Sequence, residues 1–506
     1  MRAFLKFQNV TFLYDSAAEP LFETISFQAG SGWMGVIGAN GTGKTTLLKL
    51  AAGLLTPVAG NIIKPARTVY CAQRTDDRPD LFPEFATAQT GHANSLKGLL
   101  GIEEDWQDRW QTLSHGERKK AQIATALWQQ PDLLAVDEPT NHVDLYARQL
   151  IAEALRRYTQ AGLIVSHDRM LLDGICTQCL FVESPRIVIR PGGITQASAE
   201  AEKERSSVLK QKEIRKKAYK KLDREFKRRK EKAGLSKKLV SKKGLAPKDH
   251  DAREKRDRAI VSGKDASDSR KQRQLRGRLD QAAHVYHDLH VQKESPLGIW
   301  FEGSLSKRDC LLDLPAGHLS LGKDKRLEYS ELLIQPSDRI ALVGPNGSGK
   351  STLMQKIVRS LRVDAEEILY MPQEIDISES RKLIERVRRL SSSQLGELMA
   401  FISHLGSRPD RLLTTELPSP GEVRKLFLAL GILHHPHIIL MDEPTNHMDL
   451  PSIECLEKAL VDCPCGLLLV SHDMLFLRHL TNKMWEIQPD NTQNTYVLKE
   501  RLSRLQ

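Results

Sequence analysis

The chain has 506 residues and a mass of 57.0 kDa, too long for one ordinary domain and enough for two or three. Hydrophobic residues at 40% and charged residues at 27% suit a folded globular protein, and seven cysteines rule out a disulfide scaffold, so packed or free thiols in a reducing, cytoplasmic setting are expected. The net charge of +11 is unevenly placed: residues 201–280 hold 30 of the 75 Lys and Arg against 13 of the 64 Asp and Glu, which puts +17 on that segment and −6 on the remainder.

The N-terminal stretch Met1 to Asp15 lacks the continuous apolar core of a signal peptide, and no run of 18 apolar residues occurs anywhere, so no membrane span is expected. Trp33–Ile37 is a short apolar run of the kind that forms a buried parallel strand. It leads into Gly38-Ala39-Asn40-Gly41-Thr42-Gly43-Lys44-Thr45, a complete P-loop. Its glycines let backbone N–H groups turn inward around phosphate oxygens, and the following helix presents its positive end to the same anion. Lys44 can reach the β- and γ-phosphates, Thr45 can ligate Mg²⁺, and Thr46 completes the ATP-binding set. Gln73, after Tyr70-Cys71-Ala72, is a candidate for Mg²⁺ and the attacking water, a structural role remaining open. Leu133–Val136 reads as a second buried strand. It ends on Asp137, which can hold Mg²⁺, and on Glu138, placed to orient or deprotonate water. After a third such run, Leu163–Val165, His167 follows in a Val-Ser-His-Asp context and is a candidate γ-phosphate contact. Cys176 and Cys179 have the spacing of half a zinc site with no other half, and Cys463 and Cys465 are closer still.

The middle differs in kind. Residues 196–233 are nearly free of Gly and Pro, and Ile214, Ala218, Leu222 and Phe226 recur every four residues as one stripe along a helix. Leu275, Leu279, Ala282, Tyr286 and Leu289 recur at heptad spacing, while Gly234, Gly244, Pro247 and Gly263 interrupt. A basic helical hairpin with an irregular tip is expected. Beyond it the first motifs return in order: Gly344, Asn346, Gly347, Ser348, Gly349, Lys350, Ser351 and Thr352 at an offset of 306, then Asp442, Glu443 and His472 at 305, with Gln373 after Tyr370-Met371-Pro372. Strands are expected at Ile340–Val343, Ile438–Met441 and Leu467–Val470. The chain therefore reads as two copies of one α/β domain, at 1–195 and 296–506, joined by a linker at 196–295.

These blocks together resemble the ATP-binding-cassette ATPases. That family carries a signature, Leu-Ser-x-Gly-[Gln/Glu], upstream of the second carboxylate strand. Leu113-Ser114-His115-Gly116-Glu117 matches it; Pro418-Ser419-Pro420-Gly421-Glu422, offset by 305, is a degenerate second match. The resemblance implies two P-loop ABC ATPase domains facing head to tail within a monomer. Lys44 would then share an ATP with Ser419, Gly421 and Glu422, and Lys350 with Ser114, Gly116 and Glu117. It also implies an aromatic on the adenine: Tyr14, with Phe12 as rival, and none in the second copy, where Leu319 to Leu327 occupies the comparable place.

Tandem cassettes, the Asp-Glu-Pro-Thr-Asn-His-x-Asp block in both copies and the charged linker resemble the ABC-F family. That implies an ATPase using ATP and Mg²⁺ whose partners are the ribosome (rRNA and peptidyl-tRNA, at the tRNA exit site), and whose linker acts near the peptidyl-transferase region. Its role would be relief of stalling or protection from antibiotics. Independently, +17 beside −6 is the footprint of a polyanion partner. Candidate RNA contacts are Arg215, Lys216, Lys217, Lys220, Lys221, Arg224, Arg228 and Arg229, with Lys237, Lys238, Lys242 and Lys243 toward the tip. The alternative, an ATPase subunit of a membrane drug exporter, gives the basic linker no purpose.

Overall fold

A computed structural model describes residues 4–240, 264–287, 305–322, 325–405, 419–446, 448–490 and 494–502. The first copy holds β1 (Leu5–Phe12), β2 (Phe22–Ala29), β3 (Gly32–Ile37), β4 (Ala59–Ile63), β5 (Thr68–Cys71), β6 (Leu133–Asp137), β7 (Ala161–Val165), β8 (Cys176–Glu183) and β9 (Arg186–Pro191). A six-stranded sheet runs β5-β6-β7-β3-β8-β9, parallel except for β8 against β9. A separate antiparallel sheet runs β2-β1-β4.

The apolar runs are continuous because both sheet faces are covered. Along β6, Leu133 and Ala135 enter one core with Phe7, Phe22, Phe27 and Leu47, while Leu134 and Val136 enter another with Trp33, Ile151, Leu155 and Leu172. The strand thus contributes to opposite sides at a period of two. All six strands expected from the sequence are present. The strand before each P-loop lies mid-sheet, between the strands preceding the histidine and the cysteine-rich or Trp485-containing segment.

The second copy holds β10 (Leu312–Leu314), β11 (Gly317–Ser320), β12 (Arg326–Tyr329), β13 (Leu332–Ile334), β14 (Arg339–Val343), β15 (Ile368–Met371), β16 (Ile438–Asp442), β17 (Gly466–Val470), β18 (Lys483–Pro489) and β19 (Thr495–Leu502). Its main sheet is β15-β16-β17-β14-β18-β19-β12-β11, whose first six strands repeat the order of the first copy. All seven cysteines are free thiols and all but Cys310 are buried.

The chain divides into two compact units, one comprising Met1–Ala197 with Glu294–Gln506 and the other Ser198–Lys293. Helices span Ile194–Val240 and Lys264–His287. The first passes through Gly234, so Lys237 and Lys238 lie within a helix and not in an irregular tip; Lys242, Lys243 and Leu289 lie outside the described residues. The covered face of the first helix is not the four-residue stripe expected from the sequence. Ile214 is 66% exposed and Ala218 is exposed, whereas Val208, Lys212, Arg215, Tyr219, Leu222 and Phe226 are partly covered, at alternating spacings of four and three. Steps of four drift about 40° each around a helix of 3.6 residues per turn, so Ile214 and Phe226 do not share a face. In the second helix Leu275 is buried, and Leu279 and Ala282 are partly covered, as the heptad spacing predicts. Among the described residues no helix is long and apolar enough to cross a membrane.

Candidate active site

Each P-loop opens a helix, Lys44–Ala52 or Lys350–Ser360, through a left-handed glycine: Gly43 at φ 98° and Gly349 at φ 94°. A Cβ at Gly43 would lie 2.8 Å from Leu21 Cδ2, and one at Gly349 would lie 2.6 Å from Leu321 Cδ2, so both conformation and space require glycine there. Lys44 donates to the carbonyls of Gly38 (2.8 Å) and Ala39 (3.1 Å), and Lys350 to those of Gly344 (2.8 Å) and Pro345 (2.9 Å). Each ammonium is buried, and burial lowers its pKa against the pull of the carboxylates nearby. Asn40, Gly41, Thr42, Thr45 and Thr46 lie in or next to the first turn of this anion cradle, with Thr42 Oγ1 donating to Ala39 at 2.9 Å.

The acidic pair stands at the end of β6 and of β16. Asp137 accepts from Tyr70 (3.1 Å) and from the Thr45 hydroxyl; Asp442 accepts from the Ser351 hydroxyl. Burial raises the pKa of both aspartates. Asp442 Oδ2 is buried with no hydrogen-bond partner, so an oxygen-seeking cation beside Ser351 fits the donor set. Glu138 and Glu443 adopt left-handed backbone at φ 48° and 52°, where non-glycine residues are uncommon. Their amides donate to Val165 and Val470 (2.8 Å each), which ties the acid turn to the histidine strand.

His167 Nε2 lies 3.2 Å from Glu138 and His472 Nε2 lies 3.4 Å from Glu443; His472 also meets Asn346 Oδ1 at 3.3 Å. Burial holds both imidazoles toward the neutral form, His472 down to about 3, while Glu443 is pushed up to about 7, chiefly by burial. Glu443 titrates near 4.5 when unfolded and near 7 when folded, so its protonated form contributes stability at low pH that is lost as pH rises through about 7. In nucleotide-free protein with EDTA, Glu443→Gln is expected to raise the melting temperature by about 3 °C at pH 8 and to leave it near wild type at pH 5. Scanning calorimetry at the two pH values is the check.

Gln73 and Gln373 have exposed side chains, and their carbonyls are held from behind. Lys119 donates to Ala72 and Gln73 (2.9 Å each), and at the position offset by 305 Arg424 donates to Gln373 and Glu443. Burial lowers Lys119 to about 8. Sequence reading missed this pair of buried cations; a signal was available, since a Lys and an Arg recur five residues after each signature Ser. Ser114 and Ser419 cap their helices with reciprocal capping boxes to Glu117 and Glu422. The second signature thus keeps the first one's helix start, with Pro420 at its first position and Gly421 buried in the first turn. Pro418 lies outside the described residues.

Also missed was a contact between the copies. Asp449 caps the helix Leu450–Val461, and its Oδ2 accepts from the Asn40 amide at 2.7 Å, inside the first P-loop. Asp449 acts on Lys44, and its counterpart Asp144 on Lys350, by charge. Both aspartates lie in the repeated Asp-Glu-Pro-Thr-Asn-His-x-Asp block, but nothing in one copy's sequence says which surface it will meet.

Of the two adenine candidates, Phe12 is 5% exposed and points into the core, whereas Tyr14 is 43% exposed and its hydroxyl bonds Thr46 Oγ1 at 2.7 Å. Tyr14→Ala is expected to weaken ATP binding at the Lys44 site about tenfold, the scale of one base–aromatic stack. Equilibrium nucleotide binding in a Lys350→Ala background checks it.

The family described as ABC transporter matches residues 22–141 and 325–446. The chain is similar, at 28% identity over 495 residues, to ribosome protection protein VmlR of Bacillus subtilis (strain 168), across 95% of this chain and 86% of that protein. It is 27% identical over 536 residues to energy-dependent translational throttle protein EttA of Mycobacterium tuberculosis, across 92% and 88%. Among solved structures, the complex of archaeal ribosomal stalk protein aP1 with archaeal ribosome recycling factor aABCE1 superposes at a TM-score of 0.62, covering 98% of this chain and 90% of that one. Its 17% identity speaks to fold alone.

Proposed function

The chain belongs to the ABC-F family of tandem-cassette ATPases and hydrolyses ATP, and from that premise we propose that its closed, ATP-bound form binds the ribosome and that hydrolysis lets it leave. Residues 1–195 and 296–506 are the cassettes and 196–295 the linker. One ATP lies between Lys44, Thr45 and Thr46 on one side and Ser419, Gly421 and Glu422 on the other. A second lies between Lys350, Ser351 and Thr352 and Ser114, Gly116 and Glu117. Mg²⁺ would be held through Thr45, Asp137 and Gln73, and through Ser351, Asp442 and Gln373, and would supply charge neutralisation on the phosphates. Glu138 and Glu443 take the proton of the attacking water, and His167 and His472 contact the γ-phosphate. The Asp449-to-Asn40 bond supports the head-to-tail arrangement, because it sets the second cassette against the first P-loop.

The observation that carries the ribosome reading is the layout of charge. The +17 segment, 201–280, includes most of the long helix Ile194–Val240, on which Lys216, Lys217, Lys220, Lys221, Arg224, Arg228 and Arg229 are exposed, while the remainder of the sequence carries a net −6. Such a rod meets RNA phosphates and reads shape more than sequence. Binding at the tRNA exit site would bring the linker toward the peptidyl-transferase region, there to relieve stalled or antibiotic-blocked translation. The test is co-sedimentation of Glu138→Gln/Glu443→Gln protein with ribosomes in ATP. Recovery in the ribosome-free fraction would refute the reading.

A further inference from the structure

The two ATP sites receive different residues from across the cassette interface. Arg148, on the helix Leu145–Arg156, donates from Nη1 to the backbone oxygen of His472 at 3.2 Å, and from Nε to Val143 at 2.8 Å; its other neighbour is Asp168 at 3.7 Å. Arg169, at the start of the helix Arg169–Ile175, pairs with Glu457 at 3.0 Å and Asp473 at 3.5 Å. All these side chains are largely covered, with Arg148 at 14% and Arg169 at 11% exposed, so the charges act with little solvent screening. Arg148 also acts by charge on Glu443 and His472 themselves.

The reciprocal positions, offset by 305, are Ile453 and Met474, and Glu457 corresponds to Ala152. Ile453 is buried in the second cassette's own core, and Met474 packs against that core. The first cassette therefore grips the His472–Asp473 turn of the second with two arginines, and the second returns no cation from the matching places.

We infer that Arg148 is a positioning residue for the Lys350 site, supplied in trans: with Arg169 fastening the same turn through Asp473 and Glu457, it holds His472, and through it Glu443, in the geometry for hydrolysis. The Lys44 site runs without such a residue. A donor on the His472 carbonyl fixes the turn from which the imidazole projects, so its loss shifts the imidazole relative to the γ-phosphate while Lys350 keeps its own bonds to Gly344 and Pro345 in the P-loop. The effect falls on kcat and spares KM.

This rests on ATP hydrolysis and not on ribosome binding, and every measurement is made on the free protein, so its failure leaves the proposed partner untouched. Glu138→Gln leaves the Lys350 site to turn over, and Glu443→Gln leaves the Lys44 site. Arg148→Ile, which installs the residue found at the matching position of the second cassette, is added to each. In the Glu138→Gln background kcat is expected to fall about tenfold with KM unchanged, the scale of a small misplacement of a reacting group. That fall should be several-fold greater than any in the Glu443→Gln background, and Arg148→Lys should restore most of it. Equal losses in both backgrounds, a loss confined to the Lys44 site, a rise in KM alone, no loss at all, or a Glu138→Gln protein without turnover would each overturn the assignment.

Discussion

Glutamine at both Glu138 and Glu443 is expected to leave ATP binding intact, lower turnover by about 10³-fold, and hold the protein on ribosomes. The change is nearly isosteric and removes the group that takes the proton from water. The turn around each glutamate is fixed by backbone, Glu138 on Val165 and Glu443 on Val470, so the site keeps its shape. At the second site the loss of a buried carboxylate also removes a desolvation cost, so the closed form should persist longer there. Sucrose-gradient sedimentation with ATP, compared with ADP, reads the result. Retention in ATP should be accompanied by arrest of cell-free translation.

The second large effect concerns the linker. Replacing Lys216, Lys217, Lys220, Lys221, Arg224, Arg228 and Arg229 together by Gln is expected to weaken ribosome association by about 10³-fold at 0.1 M salt, and to flatten its dependence on salt. Glutamine is a good helix former, so helical content should stay the same by circular dichroism. Phosphate contacts release counterions, and the slope of log affinity against log salt counts them. If the variant bound with wild-type affinity and slope, the basic face of Ile194–Val240 would not be the contact surface.

The parts legible in the sequence were those where chemistry restricts the residue. Nothing but glycine occupies the left-handed positions of Gly43 and Gly349, and the doubly covered strands announce themselves as unbroken apolar runs. The burial of Phe12 was also legible, because Leu5, Phe7, Val10 and Phe12 form the inward set of β1. The linker stripe misled because a step of four is close to a helical turn without equalling it. What stayed hidden joins distant parts of the chain. The Asn40–Asp449 bond spans 409 residues and the Arg148–His472 bond 324, and neither partner carries a local mark of the other. The buried cations Lys119 and Arg424 look like ordinary surface residues on amphipathic helices until the fold turns them inward.

Those two cations have a mechanical consequence. Helix Pro420–Ile432 begins at Ser419 and, five residues on, Arg424 grasps the carbonyls of both Gln373 and Glu443. A displacement imposed on the tip of that rod is therefore delivered to the glutamine and to the glutamate together, through the single guanidinium of Arg424. In the first cassette the same rod, through Lys119, grips Ala72 and Gln73. Movement entering at Ser114 and movement entering at Ser419 thus both reach the glutamine, but only the second is coupled through the same side chain to the glutamate.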